Sequence, residues 1–462
     1  MHLFVKVFNK RGFVLSCSMM FGMAILLPSL KNVTRADSSI VVPAATSILT
    51  IDSATEEGLA RSPEIQRARS KVEEERARRS QALGEGFLPK VSVSALHFFS
   101  NKYEFTDLSF GASVMSFPGI YPNTQASLNA SVPIFGGMTG FQKLESATKN
   151  VDATQQLYAQ AKFQLSQDIR LAFYQAVAAI ALEGVADQNV TTLEDHLKQV
   201  QIQKKGGAAT AYDTLRIEVQ LNEARSDALD AKDNVVLTRQ RLTQLLGLDH
   251  DDRALNGNLP VPDSRRVEKL DFSSFSQDRS DIQSLELRAQ AAELEGRALG
   301  GWLIPRIDIN GQLSLYNKLF YDGSQVIDNS NYMTSYNVGI YLSWNLFDAG
   351  VSAARAHQAA EKTIQADQAV QSVRLQVPYD FSQWKRRYMS SASRYQAKQS
   401  DVERSLESVR LAKEEARAGT RTNTEVLDAE LDLFRSKAGV VNSQLSAAES
   451  LIRLELAAGR KI

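Results

Sequence analysis

"RIDINGQLSLY", residues 306–316, alternates with a period of two. Arg306, Asp308, Asn310, Gln312 and Ser314 fall on one side, and Ile307, Ile309, Leu313 and Leu315 on the other. That pattern marks a strand with one face in an apolar medium and one in a polar medium. Downstream, "YNVGIYLSWNLF" (336–347) sets Tyr336, Val338, Ile340, Leu342 and Trp344 against Asn337, Gly339, Tyr341, Ser343 and Asn345. The two runs predict strands at about 305–318 and 334–347. "KVSVSALHFFS" and "TQASLNASVPIF" predict a second pair at about 89–103 and 123–136. Polar, Gly- and aromatic-bearing loops, about 104–122 and 319–333, join the strands of each pair.

The two pairs belong to a duplicated unit. "SVPIFGGMTG" (131–140) aligns with "SWNLFDAGVS" (343–352), so that Phe135 falls on Phe347. At the same offset Gly207 falls on Gly419, Thr210 on Thr422, Asp213 on Glu425, Leu215 on Leu427 and Gly247 on Gly459, with no gap. Upstream, "RSPEIQRARS" and "LGEGFLPKVSVSA" match "RSDIQSLELR" and "LGGWLIPRIDING" with a small change of offset. An internal two-fold repeat is the reading.

Each copy has the same order of segments. A medium helix (about 55–84 and 278–300) stops before Pro89 or Pro305, because Pro cannot continue it. The two strands follow, then a very long helix at about 138–205 and 350–417. In the first copy Leu144, Ala147, Val151, Tyr158, Ala161, Leu165, Ala172, Ala176 and Ala179 recur in steps of three and four, a small-residue coiled-coil stripe. At 1.5 Å per residue such a helix is roughly 100 Å long. A last helix, about 210–247 and 422–459, closes each copy. The organisation is therefore a leader at 1–36, repeat 1 at 37–246, a polar link at 247–277 and repeat 2 at 278–462.

The leader is read from its composition. Lys6, Lys10 and Arg11 precede a mostly apolar run, and Thr34-Arg35-Ala36 offers small residues at the −3 and −1 positions of a cleavage site. The rest is expected to be exported and to lack a helical membrane span. The whole chain of 462 residues carries no net formal charge, which excludes a strongly basic nucleic-acid binder. Its single cysteine, Cys17, leaves no disulfide.

These pieces constrain one another. A rod of that length must pack along other long helices. The medium and final helices of a copy, stacked end to end, make a second rod of about equal length. Four strands cannot close a barrel, and hydrocarbon cannot satisfy an open edge, so several chains must share one barrel of at least eight strands. Phe98, Phe99, Tyr103, Phe135, Tyr316, Phe320, Tyr332, Tyr336 and Phe347 sit near strand ends, as in an interfacial girdle.

The order helix, two strands, long helix, helix, twice over, resembles the TolC-type outer-membrane factor family. So do "SVPIFGG" and "NLFDAG" at the passages from strand to helix, and "GTRTNTEVLDAE" (419–430) at the second helical turn. The last motif is the most specific and resembles the TolC branch of that family. The resemblance implies an α+β membrane protein: a homotrimer whose twelve-stranded β-barrel, four strands per chain, is continuous with a long periplasmic α-helical barrel. It implies a passive, gated exit duct in the outer membrane of a Gram-negative cell, for efflux of small molecules, type I protein secretion, or both. It also implies a periplasmic adaptor and an inner-membrane ABC or RND pump as partners, with outer-membrane lipid around the barrel.

The two turns carry the candidate sites. Thr422-x-x-Glu425 and Thr210-x-x-Asp213 read as capping boxes at helix starts. Glu425, Asp428 and Asp432 are spaced to share one helix face, and around a tube such a face becomes an acidic ring. By the resemblance, Glu425 and Asp428 narrow the periplasmic entrance, and Asp213 and Arg421 form a charged latch. Gly207 and Gly419 mark the hairpin tips, and Pro133, Phe135, Phe347 and Gly350 the junction of barrel and helices. Three departures stand out. Glu425 replaces an Asp, Ala416 stands where that pattern has a Tyr, and Pro378 inside the second long helix predicts a kink.

No cofactor or metal is expected, and no enzyme. His2, His97, His196, His250 and His357 form no spaced pair, and phosphate loops and nucleophile elbows are absent from the sequence. The rival reading is an exported coiled-coil scaffold without a pore.

Overall fold

The computed structural model describes residues 48–98, 104–119, 124–272, 279–317 and 332–462. The proposed leader, Cys17 and the aromatic residues Phe99, Tyr103 and Phe320 lie outside them. After the short strand β1 (Ile48–Leu49), Thr50 caps α1 (Ile51–Arg61), whose third residue, Ser53, caps back. Ser62 ends α1 and starts α2 (Pro63–Phe87), with Pro63 in the first turn, where no N–H is needed. The strands β2 (Lys90–His97), β3 (Glu104–Phe110), β4 (Ser113–Gly119) and β5 (Thr124–Phe135) follow. Then come α3 (Thr139–Lys205) and α4 (Ala211–Leu246).

The link contains β6 (Ala254–Leu255), which pairs in parallel with β1, and the short α5 (Arg265–Glu268). The second half has α6 (Ser280–Gly300), β7 (Arg306–Asn317), β8 (Tyr332–Ser343), α7 (Val351–Arg417) and α8 (Asn423–Ala458). Both long helices have 67 residues, and both final helices have 36.

The main sheet has the order β2-β5-β7-β8, antiparallel throughout. Its register sorts the side chains into rows. Val93, Leu128, Leu313 and Tyr336 stand opposite one another, as do Val91, Ala130, Gly311 and Val338. The alternate rows are polar: Ser94, Ser127, Ser314 and Ser335 in one, Ser92, Asn129, Gln312 and Asn337 in the next. Within the serine row the Ser127 and Ser314 hydroxyls lie 3.3 Å apart, and both residues are buried. The apolar face is bare, with Tyr336 83% and Val338 76% exposed.

The helices keep the order of the strands. α3 packs against α2 and α4 on one side and against α6 and α8 on the other, and α7 packs against α6 and α8. The sequence of layers is thus α2 with α4, then α3, then α6 with α8, then α7. The largest core cluster joins Leu49, Ile65, Leu165, Ile169, Phe173, Leu242 and Leu246 where α1 and α2 meet α3 and α4.

Two features differ from the sequence reading. The stretch expected as a loop at 104–122 contains the β3–β4 hairpin, a separate two-stranded sheet. Gly111, at φ +63°, and Ala112 form its two-residue turn, and a left-handed glycine at the first turn position suits a hairpin. Second, α3 contains a stretch long and apolar enough to cross a membrane by length and composition. That stretch is partly buried, because α3 is the helix with neighbours on both sides. α7 runs through Pro378 as one helix, in keeping with the expected span of about 350–417. Pro378 lacks the N–H that would reach the Arg374 carbonyl and its ring crowds that carbonyl, while Phe381, just under one turn on, is buried in a cluster with Val267 and Tyr388.

At the passages from strand to helix, Gly137 and Ala349 take the same left-handed backbone, φ +66° and +56°. They are matched positions in the two copies, but only one is glycine. A left-handed alanine costs about 1–2 kcal/mol, and glycine returns part of that as lost chain entropy. Ala349→Gly is therefore expected to raise unfolding stability by up to about 1 kcal/mol, read as a higher urea midpoint in detergent.

Candidate functional site

The tips are built by two matched turns. At the end of α3, Gly207 at φ +79° lets Ala208 N–H reach the Gln203 carbonyl at 2.8 Å, while Gly207 N–H reaches Lys204 at 3.1 Å. At the end of α7, Gly419 at φ +76° does the same, with Thr420 N–H to Glu415 at 3.0 Å and Gly419 N–H to Ala416 at 3.1 Å. Only glycine takes that backbone without strain, and the paired bonds satisfy the last carbonyls of each helix.

The next helices start on the capping boxes. Thr210 N–H and Oγ1 donate to Asp213 Oδ2 at 2.9 and 2.7 Å, and Asp213 N–H returns to Thr210 Oγ1 at 3.2 Å. Thr422 N–H and Oγ1 donate to Glu425 Oε2 at 2.9 and 3.0 Å, and Glu425 N–H returns at 3.4 Å. The Thr210 bonds hold the Asp213 carboxyl below the usual carboxylate range. The Thr422 bonds do the same for Glu425, with the Arg421 charge adding a smaller pull.

The two residues assigned to a latch do not meet within one chain. Arg421 Nε bonds Glu415 Oε2 at 2.8 Å, inside its own hairpin, and Asp213 is held by Thr210. The first hairpin (α3 and α4) and the second (α7 and α8) are joined by other groups. Arg216 Nη2 lies 3.3 Å from Asp428 Oδ1, and these are matched positions in the two copies with opposite charge. Asn423 donates to Gln203 Oε1 at 3.0 Å, and Lys437 to Gln188 Oε1 at 2.8 Å. Ala416, in the place of the Tyr, packs beside Val409, Ala412, Val426 and Ala429.

A buried contact also joins the hairpins. Glu430 of α8 takes a bond from His196 of α3 at 2.8 Å and one from Lys413 of α7 at 2.7 Å. Burial pushes its carboxyl up, but the His196 and Lys413 bonds outweigh that and bring it below the usual range. Farther from the tips, Glu455 of α8 is buried against Gln167 and Arg170 of α3, at 2.9 and 2.5 Å. The helical spacing of α3 and α8 could have flagged these carboxylates, since each interrupts an otherwise small-residue or apolar face.

At the other end, Pro133 and Phe135 bracket a shift in the register between β5 and β7, which turns the chain towards α3. Phe347 is exposed just before α7, and Gly350, at φ +83°, caps that helix. Asp348 Oδ2 holds the start of α7 by accepting Ser352 N–H at 2.9 Å.

The chain matches the family model described as outer membrane efflux protein over residues 54–248 and 273–460. It is 25% identical over 276 residues to the alkaline protease secretion protein AprF of Pseudomonas aeruginosa, covering 57% of this chain. The match spans about half of that relative, 54% of its length. The fold is similar to the outer membrane protein VceC of Vibrio cholerae, with a TM-score of 0.72 at 15% identity, covering 89% of this chain and 96% of that one. It is also similar to the open state of the MtrE outer membrane channel of Neisseria gonorrhoeae, with a TM-score of 0.71 at 19% identity and 89% of each chain covered.

The caps make a prediction about acid. A carboxyl whose folded pKa is lowered contributes stability above its ordinary range, and that contribution is lost as pH falls through the lowered value. Protection of the first turns of α4 and α8 from hydrogen exchange, corrected for intrinsic rates, should fall between about pH 5 and pH 2. Thr422→Ala should cost the α8 start about 1 kcal/mol at pH 7 and flatten its acid dependence.

Proposed function

The chain belongs to the outer membrane efflux protein family, and from that premise we propose that three copies enclose one passive, gated exit duct. Its place is the outer membrane of a Gram-negative cell, with the helical part in the periplasm.

The observation that carries the proposal is the pair of open flanks. β2 and β8 each lack a strand partner on their outer side among the described residues. The helices at the same two flanks, α4 and α7, bare apolar side chains: Tyr212, Leu215 and Val219 on one, Leu375, Tyr379 and Leu406 on the other. Joining β8 and α7 of one copy to β2, α2 and α4 of the next satisfies both needs, and three copies close a barrel of twelve strands. The bare apolar face then meets lipid, and the serine and amide rows line the lumen.

The same closure brings Arg421, at the end of α7, beside Asp213 at the start of α4 in the next copy. The Arg421 guanidinium has further donors beyond the Nε–H used on Glu415, so it serves as the latch across copies. Glu425 and Asp428, repeated in each copy, form the acidic constriction that favours cations. Energy comes from an inner-membrane ABC or RND pump through a periplasmic adaptor. The name of the relative AprF favours a secreted protein among the cargoes, alongside small molecules.

Single-channel recording in planar bilayers tests the duct. Wild type should give small cation-selective steps, Arg421→Ser larger ones, and Glu425→Gln with Asp428→Asn steps of reduced selectivity. Protein that is inserted but gives no steps in any of these forms would overturn the reading. The lipid face has its own test. Ile340→Arg should cost about 2–4 kcal/mol and deplete the outer-membrane fraction, whereas Asn337→Arg, three residues earlier on the lumen face, should leave that fraction near wild type.

A further inference from the structure

If the tips are a gate that opens by moving the second hairpin against the first, every bond that crosses between them resists opening. Among the described residues, the polar crossings near the tips are Arg216 to Asp428, Asn423 to Gln203, Lys437 to Gln188 and His196 to Glu430. The first is solvent-exposed on both sides, and such pairs hold little. The last is different: Glu430 is 4% exposed and His196 6%. It sits between two apolar clusters. Leu193, Val200, Ile217, Leu221 and Leu427 lie on one side, and Val409, Ala412, Val426 and Ala429 on the other.

We propose that Glu430 is the positioning residue of the gate, a buried carboxylate that holds the second hairpin to His196 of the first, with Lys413 steering it from within its own hairpin. This rests on the reading of the tips as a gate. Lys413 and Glu430 move together, because α7 and α8 form one hairpin. His196 is therefore the partner that opening removes. A carboxylate stripped of a partner while still buried is strongly disfavoured, so the contact keeps the tips shut. The neighbouring charges are otherwise engaged. Glu194 pairs with Arg225, Asp195 with Lys198, and Arg410 with Glu407 and Glu414. Asp432 lies beside Arg435. None of them is placed to replace His196. The contact lies about 14 Å from the end of α3, nine residues back from Lys205, so it acts above the latch at the turn itself.

The test separates hydrogen bonding from bulk. In Asn the side-chain amide nitrogen stands near the position of the histidine Nδ1, so His196→Asn keeps the donor. Leu fills a similar volume and donates nothing. Recorded in planar bilayers on the full-length protein, His196→Leu should raise the open fraction about tenfold, which corresponds to about 1.4 kcal/mol. His196→Asn should stay within about twofold of wild type. Should His196→Leu not assemble, His196→Met, also without a donor, takes its place, with the Met variant open and the Asn variant closed. Equal open fractions for the Leu and Asn variants, both at the wild-type level or both raised, would overturn the role of Glu430 while leaving the duct intact. Absence of steps from wild type and Arg421→Ser alike would remove the duct and this role together.

Discussion

A sheet with a bare apolar face, whose outer strands have no further strand beside them among the described residues, is the constraint on which this molecule turns. Each N–H and C=O along the outer sides of β2 and β8 needs a partner. Water can supply it, but the apolar face, with Tyr336, Val338 and Ile340 exposed, is suited to lipid, where no water is available. Only closure with further strands meets both conditions. The helices inherit the order of the strands, since α2 leads into β2, β5 into α3, α6 into β7 and β8 into α7. A flank left open in the sheet is thus also left open among the rods.

The strands were legible because their chemistry is periodic. Arg306, Asp308 and Asn310 against Ile307 and Ile309 can be read only one way, and the register places each side in rows with its own kind. The tips were legible because glycine and a capping threonine occur together twice, and Gly207 and Gly419 carry the left-handed backbone that such turns need. Other parts were not. The β3–β4 hairpin lacks the alternation of the main strands and turns on a single glycine, so its composition reads as a loop. The partners of Glu430 come from two other helices, His196 of α3 and Lys413 of α7, so helical spacing can flag the carboxylate but cannot name what it meets.

In the proposed duct the charge at the tips has two tasks that do not compete. Asp213 and Glu425 face inward to their own helix starts through Thr210 and Thr422, and so fix the turn. Once the turn is fixed, its remaining charge has a defined position: Arg421 beside Glu415, and Asp428 beside Arg216. A gate needs charged groups whose places do not wander, and the caps provide that. In the proposed gate, burial separates what holds from what filters, with Glu430 inside the helix contacts and Asp428 at the surface.

The central claim is that a single chain is an incomplete barrel. Native mass spectrometry of the full-length protein, extracted in detergent from the outer-membrane fraction, measures this directly. The account predicts an assembly of three chains and no stable single chain. A monomer recovered folded from the periplasm without detergent would contradict it, since four strands with two open edges would then be complete by themselves.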